Sequence, residues 1–464
     1  MNKGKTKKQK TKNVLQMPIV NPYSAGIDIS DREHVVAVPE GLSEKRVQAF
    51  GSMACDLEKI ASWLEECEID TVAMESTGVY WKPLFQLLVK RGFEVYLVNA
   101  AHIKNVTGRK DDENDAMWIQ KLHSCGLLKT SYLPDEEQDM LRSLVRYRKT
   151  LTEDSSRFIN RIQKSLELMN IKFHTVIRDI TGKSGLAVIE AIIGGERNAG
   201  NFLPFIHGGV KADAETIVKS LEGNWREDHL FTLKESYAMY KIYRERIALC
   251  DKEIEMYLQR WEARCNEGEL GVIKQQKAQQ AAKQETVKRV QKSKNKNNPQ
   301  FNVRERLEEI HKVDVLAIFG LSDIAGMELL AETGTDLCKW KTEKHFVSWL
   351  NLCPNNKISG GKLISSALFK KHPNPASQAF RYAANAVQKS DNWLGDYFRR
   401  MKAKGGNRYA IVATANKIAT IYYKMVRYKQ EFIPVDVKEY RQQYNQAKIS
   451  YLERKLAQLK ANAA

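Results

Sequence analysis

The chain predicts an α/β domain followed by α-helical structure, on three observations. Short apolar runs fill the region up to about residue 100 and are interleaved with amphipathic helical patterns. Two later stretches, from Asp135 to about Asn170 and from Leu233 to Trp261, keep helical periodicity without a break. A polar tract rich in Gln, Lys, Ala and Asn separates these from a last patterned region. At 464 residues the chain exceeds what one hydrophobic core covers, so several domains are expected.

Ser24–Ser30, His34–Val38 and Arg46–Phe50 read as three strands joined by tight turns. Leu57–Glu66 places Ile60, Trp63 and Leu64 on one helical face. A strand at Asp70–Glu75, a helix at Val79–Lys90, a strand at Phe93–Val98 and a helix at Asp112–Ser124 follow. Three strands and then alternation predict a mixed sheet flanked by helices, the order of a ribonuclease H-like fold. In the first long helix Leu141, Leu144, Leu151, Phe158, Ile162, Leu166 and Met169 form the apolar set. Arg142, Arg146, Arg148, Arg157 and Arg161 stand between them, and Arg142/Arg146 and Arg157/Arg161 share faces at i,i+4. Like charges at that spacing repel, and either a phosphate backbone or solvent would relieve them. The second long helix carries a heptad, with Leu233, Tyr240, Ile247, Ile254 and Trp261 at a and Ser236, Tyr243, Cys250 and Tyr257 at d. Such a seam needs a partner helix, from this chain or another subunit. Thr181 to Glu227, between the two, reads as less regular.

The expected domains are a basic arm at 1–23, the α/β domain at 24–130, a helical arm with coiled-coil patterning at 131–266, a linker at 267–302, a mainly helical domain at 303–434 and a basic helical tail at 435–464.

Lys+Arg 74 against Asp+Glu 56 leaves a net charge of +18, which favours a polyanionic partner, nucleic acid above all. The 7 cysteines stand singly with no CxxC pair, which argues for reduced thiols and against a zinc site. No apolar run is long enough for a bilayer, and the Lys-rich start has no apolar core of a signal peptide. The expected location is a cytosol, near the nucleoid.

Four acids carry the chemistry. Asp28 lies inside the first strand and Glu75 ends the fourth, where a carboxylate is costly unless something compensates its charge. Asp112 and Asp115 lie three apart at a helix start, where they also suit an N-cap and a first-turn acid. Strand, strand, helix acids in this order mark ribonuclease H-like metal nucleases, and converging oxygens suit Mg²⁺ acting on phosphate. A second motif, Leu352-Cys353-Pro354-Asn355-Asn356-Lys357-Ile358-Ser359-Gly360-Gly361-Lys362, reads as a loop between helices. Its glycines allow close approach of a ligand, Lys357 and Lys362 supply charge, and Ser359 is either a nucleophile or a turn residue.

On these residues the chain resembles the DEDD-type insertion-sequence transposases, a family described as bridge-RNA-guided serine recombinases. The resemblance covers about residues 24–430. Asp28, Glu75, Asp112 and Asp115 fall on the four acids of the family's RuvC-like domain, and Glu75-Ser76-Thr77-Gly78-Val79-Tyr80 is typical of it. Ser359-Gly360 aligns with the serine motif of its transposase domain, and Leu133 to Leu168 is similar to its Arg-rich arm. Three positions depart from the pattern: Asp111 where Thr is usual, Asn351 where Gly is frequent, and Ser322 at a glycine of a helix-hairpin-helix-like stretch. Asp111 is therefore a rival to Asp112.

The resemblance implies DNA strand exchange through a phosphoserine link from Ser359, a Mg²⁺ held by the four acids, and a homodimer or homotetramer. It also implies target choice by a structured guide RNA. Arg109, Lys110, Arg142, Arg146, Arg148, Arg157, Arg161, Lys357, Gly360 and Lys362 are the expected nucleic-acid contacts. The competing functions are a RuvC-like structure-specific nuclease, an actin- or sugar-kinase-like ATPase, and a non-catalytic nucleic-acid scaffold.

Overall fold

Five short segments build the sheet of the first half: β1 (Ser24–Ile29), β2 (Glu33–Ala37), β3 (Val47–Gly51), β4 (Thr71–Glu75) and β5 (Glu94–Val98). The structure is a computed structural model. It describes residues 18–76, 78–99, 112–267, 296–368 and 374–463, with backbone alone for 112–114, 266–267 and 462–463. The chain divides into two units, Met1–Leu133 and Pro134–Ala464.

In the first unit the strand order is β3-β2-β1-β4-β5. β2 is antiparallel to β1 and β3, whereas β1, β4 and β5 run parallel. Parallel neighbours need crossovers, and α1 (Ala54–Glu66) and α2 (Trp81–Lys90) supply those before and after β4. This mixed sheet is consistent with a ribonuclease H-like fold, and each strand ends within one residue of its sequence-based span. Alternation along the strands separates two faces. Ala25, Ile27, Ile29, Val72 and Met74 pack with Ile60, Leu64 and Leu84 of α1 and α2. Each fully buried aliphatic chain there contributes about 1.5–3 kcal/mol. Ala73 and Val98 point to the opposite face, against Ile119 and Leu122 of α3 (Asp112–Ser124).

The approach of α3 to β1 is set by Gly26. A Cβ at this position would stand 2.2 Å from the Gln120 nitrogen and 2.5 Å from the Ala116 carbonyl oxygen. Only glycine lets the helix backbone lie directly on the strand. Gln120 Nε2 donates to the Ser24 carbonyl at 3.3 Å and fixes the far end of the contact.

The second unit is organised by two long helices, α4 (Glu136–Leu168) and α7 (Glu227–Glu267). Asp135 caps α4, accepting from Gln138 N at 2.8 Å. The helices run antiparallel: Tyr257 OH donates to Glu137 O at 2.8 Å, the Phe158 and Tyr243 rings lie 5.4 Å apart, and the Ser165 and Thr232 hydroxyls lie 3.2 Å apart. All five a-position residues of the heptad are buried. The partner of that seam is α4 of the same chain.

The stretch expected to be irregular holds two short helices, α5 (Lys183–Ile193) and α6 (Ala214–Leu221). They close a core around Phe173, Ile189, Phe202 and Leu221. Their periodicity is too short to stand out between Gly-rich turns. Then come α8 (Val303–His311), α9 (Asp323–Thr333), α10 (Glu343–Trp349), a hairpin of β6 (Asn355–Ser359) and β7 (Lys362–Ala367), α11 (Pro375–Ala386), α12 (Trp393–Tyr428, kinked at Gly405 and Gly406) and α13 (Val437–Ala463). The serine motif is thus a β-hairpin, not an irregular loop. Gly360 and Gly361 both take positive φ, +55° and +76°, as a two-residue hairpin turn requires. α9 packs on α4, where Gln138 Nε2 donates to Ala331 O at 3.1 Å, and Arg306 pairs with Glu262 of α7 at 2.9 Å. The helical arm and the last helical region therefore form one packed body. No helix among the described residues is long and apolar enough to cross a membrane.

Two outcomes follow. Gly26→Ala forces α3 off the sheet and lowers stability by about 1–3 kcal/mol, the usual range for overpacking, read from a thermal melt. Arg148 and Asp251 form a buried ion pair between α4 and α7. Arg148→Ala strands a buried carboxylate and costs about 3–5 kcal/mol, whereas the double change Arg148→Met with Asp251→Leu recovers most of it in urea denaturation.

Candidate functional site

The parallel register pairs Ile27 of β1 with Met74 of β4, so Asp28 and Glu75 follow side by side. Both share the face with Gly26 and Ala73, the face that α3 covers, and both are half-buried. α3 runs antiparallel to β1. Gln120 lies at Ser24, and Ala116 with Gln120 at Gly26. Two strand residues and one helical turn each advance about 6 Å, so the first turn of α3, with Asp112 and Asp115, comes over Asp28. Asp115 is half-buried there. Elements distant in sequence thus bring Asp28, Glu75 and the first turn of α3 toward one end of the sheet.

Their donor chemistry suits a hard divalent cation, since all four offer carboxylate oxygens. Among the described residues, no three His, Cys, Asp or Glu side chains come close enough to hold a metal ion. Asp112 enters here by its backbone alone, and Arg109, Lys110 and Asp111 lie outside the described residues.

His123, on the same helix, is a residue that the sequence does not single out. Its Nε2 lies 2.9 Å from Thr71 Oγ1, and its ring stands 4.7 Å from that of Tyr96. Burial pushes its pKa down to about 4. The neutral ring pins the last turns of α3 to β4 and β5. A histidine three turns into an amphipathic helix gives no local sign of that role.

Ser359 closes β6 at the tip of the hairpin, opposite Lys362, and its surroundings are open. Lys357 and Lys362 are exposed, as are Ile358, Leu363 and Ile364. The Ser366 hydroxyl donates to Asn356 Oδ1 at 2.8 Å across the strands. Ser322, at the usual glycine of the helix-hairpin-helix-like stretch, accepts from Ala325 N at 3.2 Å and caps α9.

The arginine row of α4 divides in two. Arg142 and Arg146 both grip Glu332 of α9, at 3.0 and 2.8 Å. Their mutual repulsion is relieved inside the chain. Arg148 is buried on Asp251, and its Nη2 also donates to Asn297 O at 2.9 Å. Arg157 pairs with Asp154 at 2.8 Å and remains largely exposed, while the Arg161 guanidinium stacks 4.7 Å over the Phe158 ring.

Stability should depend on pH through His123. Its folded pKa lies below the ordinary histidine value of 6.5, so its contribution is full above about pH 6.5 and is lost as pH falls toward 4. Melting temperature should fall over that window in the wild type, and less steeply in His123→Gln.

Two family comparisons fit this layout. A DEDD-type IS110 model described as "Transposase" matches residues 25–171, from β1 through α4. A second, described as "Transposase IS116/IS110/IS902 family", matches residues 314–399, which contain α9, α10, the serine hairpin and α11. No curated protein matches the chain. The two matched regions span half of the sequence, one holding the four acids and the other the serine motif. The chain belongs to the IS110 family of insertion-sequence transposases.

Proposed function

We propose that this transposase exchanges DNA strands by transesterification, with Ser359 as the nucleophile and Asp28, Glu75, Asp112 and Asp115 as a joint phosphate-handling site. The observation that carries the reading is the approach of the first turn of α3 to the strand ends that bear Asp28 and Glu75. Carboxylate oxygens brought toward one end of neighbouring parallel strands are the donor type that a hard divalent cation takes.

In the first step Ser359 Oγ attacks a scissile phosphorus in line. The P–O bond to one strand breaks, a phosphoserine ester forms, and the departing oxygen leaves as a free hydroxyl. The serine proton passes to a nearby carboxylate or water. In the second step a hydroxyl of another strand displaces Oγ, which recovers a proton. The ester bond is conserved throughout, so no nucleotide hydrolysis is needed. The open setting of Ser359 leaves room for in-line approach, and Lys357 and Lys362 beside it offset phosphate charge. Asp28, Glu75, Asp112 and Asp115 would hold a Mg²⁺, which would supply Lewis-acid neutralisation of phosphate charge when bound.

Target choice is assigned to a structured RNA that pairs with DNA, so that the protein reads shape and backbone rather than base edges. The charge of +18 and the exposed Arg157, Arg161, Lys357 and Lys362 support polyanion contact, with Gly360 allowing close approach. In an oligomer, a homodimer or homotetramer, the serine of one subunit works with the acids of another. Arg109 and Lys110 complete the proposed contact set.

The test is recombination of a plasmid that carries the element's ends and flanking RNA sequence. Ser359→Ala should lower strand exchange by more than about a thousandfold and abolish any covalent protein–DNA adduct, and Asp28→Ala should lose exchange as well. A nuclease that uses the acids and water alone would keep cleaving in Ser359→Ala, and that result would refute the serine step.

A further inference from the structure

Arg381, on α11, carries a charge that its surroundings do not neutralise. Its Nε is sealed from solvent without a hydrogen-bond partner. Its Nη2 makes one long bond, 3.5 Å, to the Asn351 carbonyl. Burial holds its pKa below the ordinary arginine value, with no acid acting the other way. Two other arginines withdrawn from water have acids, Arg148 on Asp251 and Arg142 on Glu332, and Arg400 has the Tyr440 hydroxyl and tyrosine rings; Arg381 has neither. A half-buried guanidinium with four unused donors is unfavourable until an anion reaches it, and its planar fork suits phosphate oxygens.

A second observation is independent of that geometry. From Lys344 to Ser390 the sequence holds no Asp or Glu, although the chain as a whole contains 56. The same window carries Lys344, Lys357, Lys362, Lys370, Lys371, Arg381 and Lys389. It includes the serine hairpin and α11. Tyr397 to Gln430, close behind it, is likewise basic and free of Asp and Glu. Here the selection is against countercharge, as a surface that faces a polyanion requires.

Arg381 also sits where it can position a strand. Asn351, which it contacts, precedes the hairpin with a φ of +54°, and Asn416 of α12 holds the next carbonyl, Leu352 O, at 3.0 Å. The root of the hairpin is therefore braced from α11 and α12. β6 leads from Asn355 to Ser359, about 14 Å at the usual rise per strand residue. That distance equals roughly four nucleotides of duplex rise.

We propose that Arg381 is a phosphate-binding, strand-positioning residue, which grips the nucleic-acid backbone a few nucleotides from the phosphate that Ser359 attacks. It rests on the proposed function in its choice of partner, and it adds a fixed anchor at the hairpin root. Arg381 does not touch the reacting atoms. It sets the register of the strand on the hairpin, and the flanking lysines add charge without fixing a position.

The test uses the full-length protein and a fluorescent duplex of the element end, with affinity measured across a salt series. Arg381→Met should weaken binding to all sequences alike and reduce the slope of log affinity against log salt by about 0.9, one phosphate's share. The free Arg381→Met protein should melt higher than wild type, because the unpaired charge is gone, while DNA raises its melting point less. Arg381→Gln, which keeps a donor for Asn351, should show the same loss of slope, and Arg381→Lys should retain the slope. An unchanged slope in both neutral variants overturns the proposal and reduces Arg381 to a brace for Asn351. The outcome is separable from the serine chemistry: strand exchange that survives in Ser359→Ala sinks the mechanism, while a lost slope in Arg381→Met would still assign the phosphate contact.

Discussion

The contact between Gly26 and the backbone of α3 governs the geometry of the first unit. With no side chain on the strand, the Ala116 carbonyl and the Gln120 nitrogen come within a distance that any Cβ would forbid. A helix packed this closely on a strand has little freedom to slide. Gln120 and His123 secure its C-terminal half, on Ser24 and on Thr71 respectively. The N-terminal turn is then carried to the end of β1 that holds Asp28. One glycine and two side-chain hydrogen bonds thus set where the first turn of α3 lies relative to the ends of β1 and β4.

The second unit solves a different problem, which is how a strongly basic chain folds without self-repulsion. Part of its charge is consumed internally. Glu332 serves Arg142 and Arg146 together, Asp251 serves Arg148, and Glu262 serves Arg306. These pairs bind α4 to α7 and α9, and α8 to α7. Other cations stand in long windows without acids, Lys344 to Ser390 and Tyr397 to Gln430.

Much of this was legible in the sequence where a local pattern and a long-range constraint agreed. The strands of the sheet are short, mostly apolar runs between turns and were readable to within a residue. Asp28 and Glu75 stood out because strand carboxylates have a cost that calls for a reason. The heptad of α7 announced a partner without identifying it, since periodicity specifies a seam and not the helix that fills it. The hairpin at Ser359 was hidden because both strands are solvent-exposed, so neither shows the apolar alternation that marks a strand. Arg142 and Arg146 were ambiguous for a related reason: their acid, Glu332, lies 186 residues beyond Arg146, at a distance no local pattern spans. His123 and Arg381 gain their character from burial, which a single sequence does not display.

The central claim is that the acids of β1, β4 and α3 form one cation-binding centre. Its most direct measurement is anomalous scattering from crystals of the full-length protein grown with Mn²⁺ in place of Mg²⁺. The account predicts a peak bounded by carboxylate oxygens of Asp28, Glu75 and the first turn of α3, at roughly 2.0–2.6 Å. Manganese absent from that end of the sheet, with Asp28 and Asp115 facing separate surroundings, would contradict it.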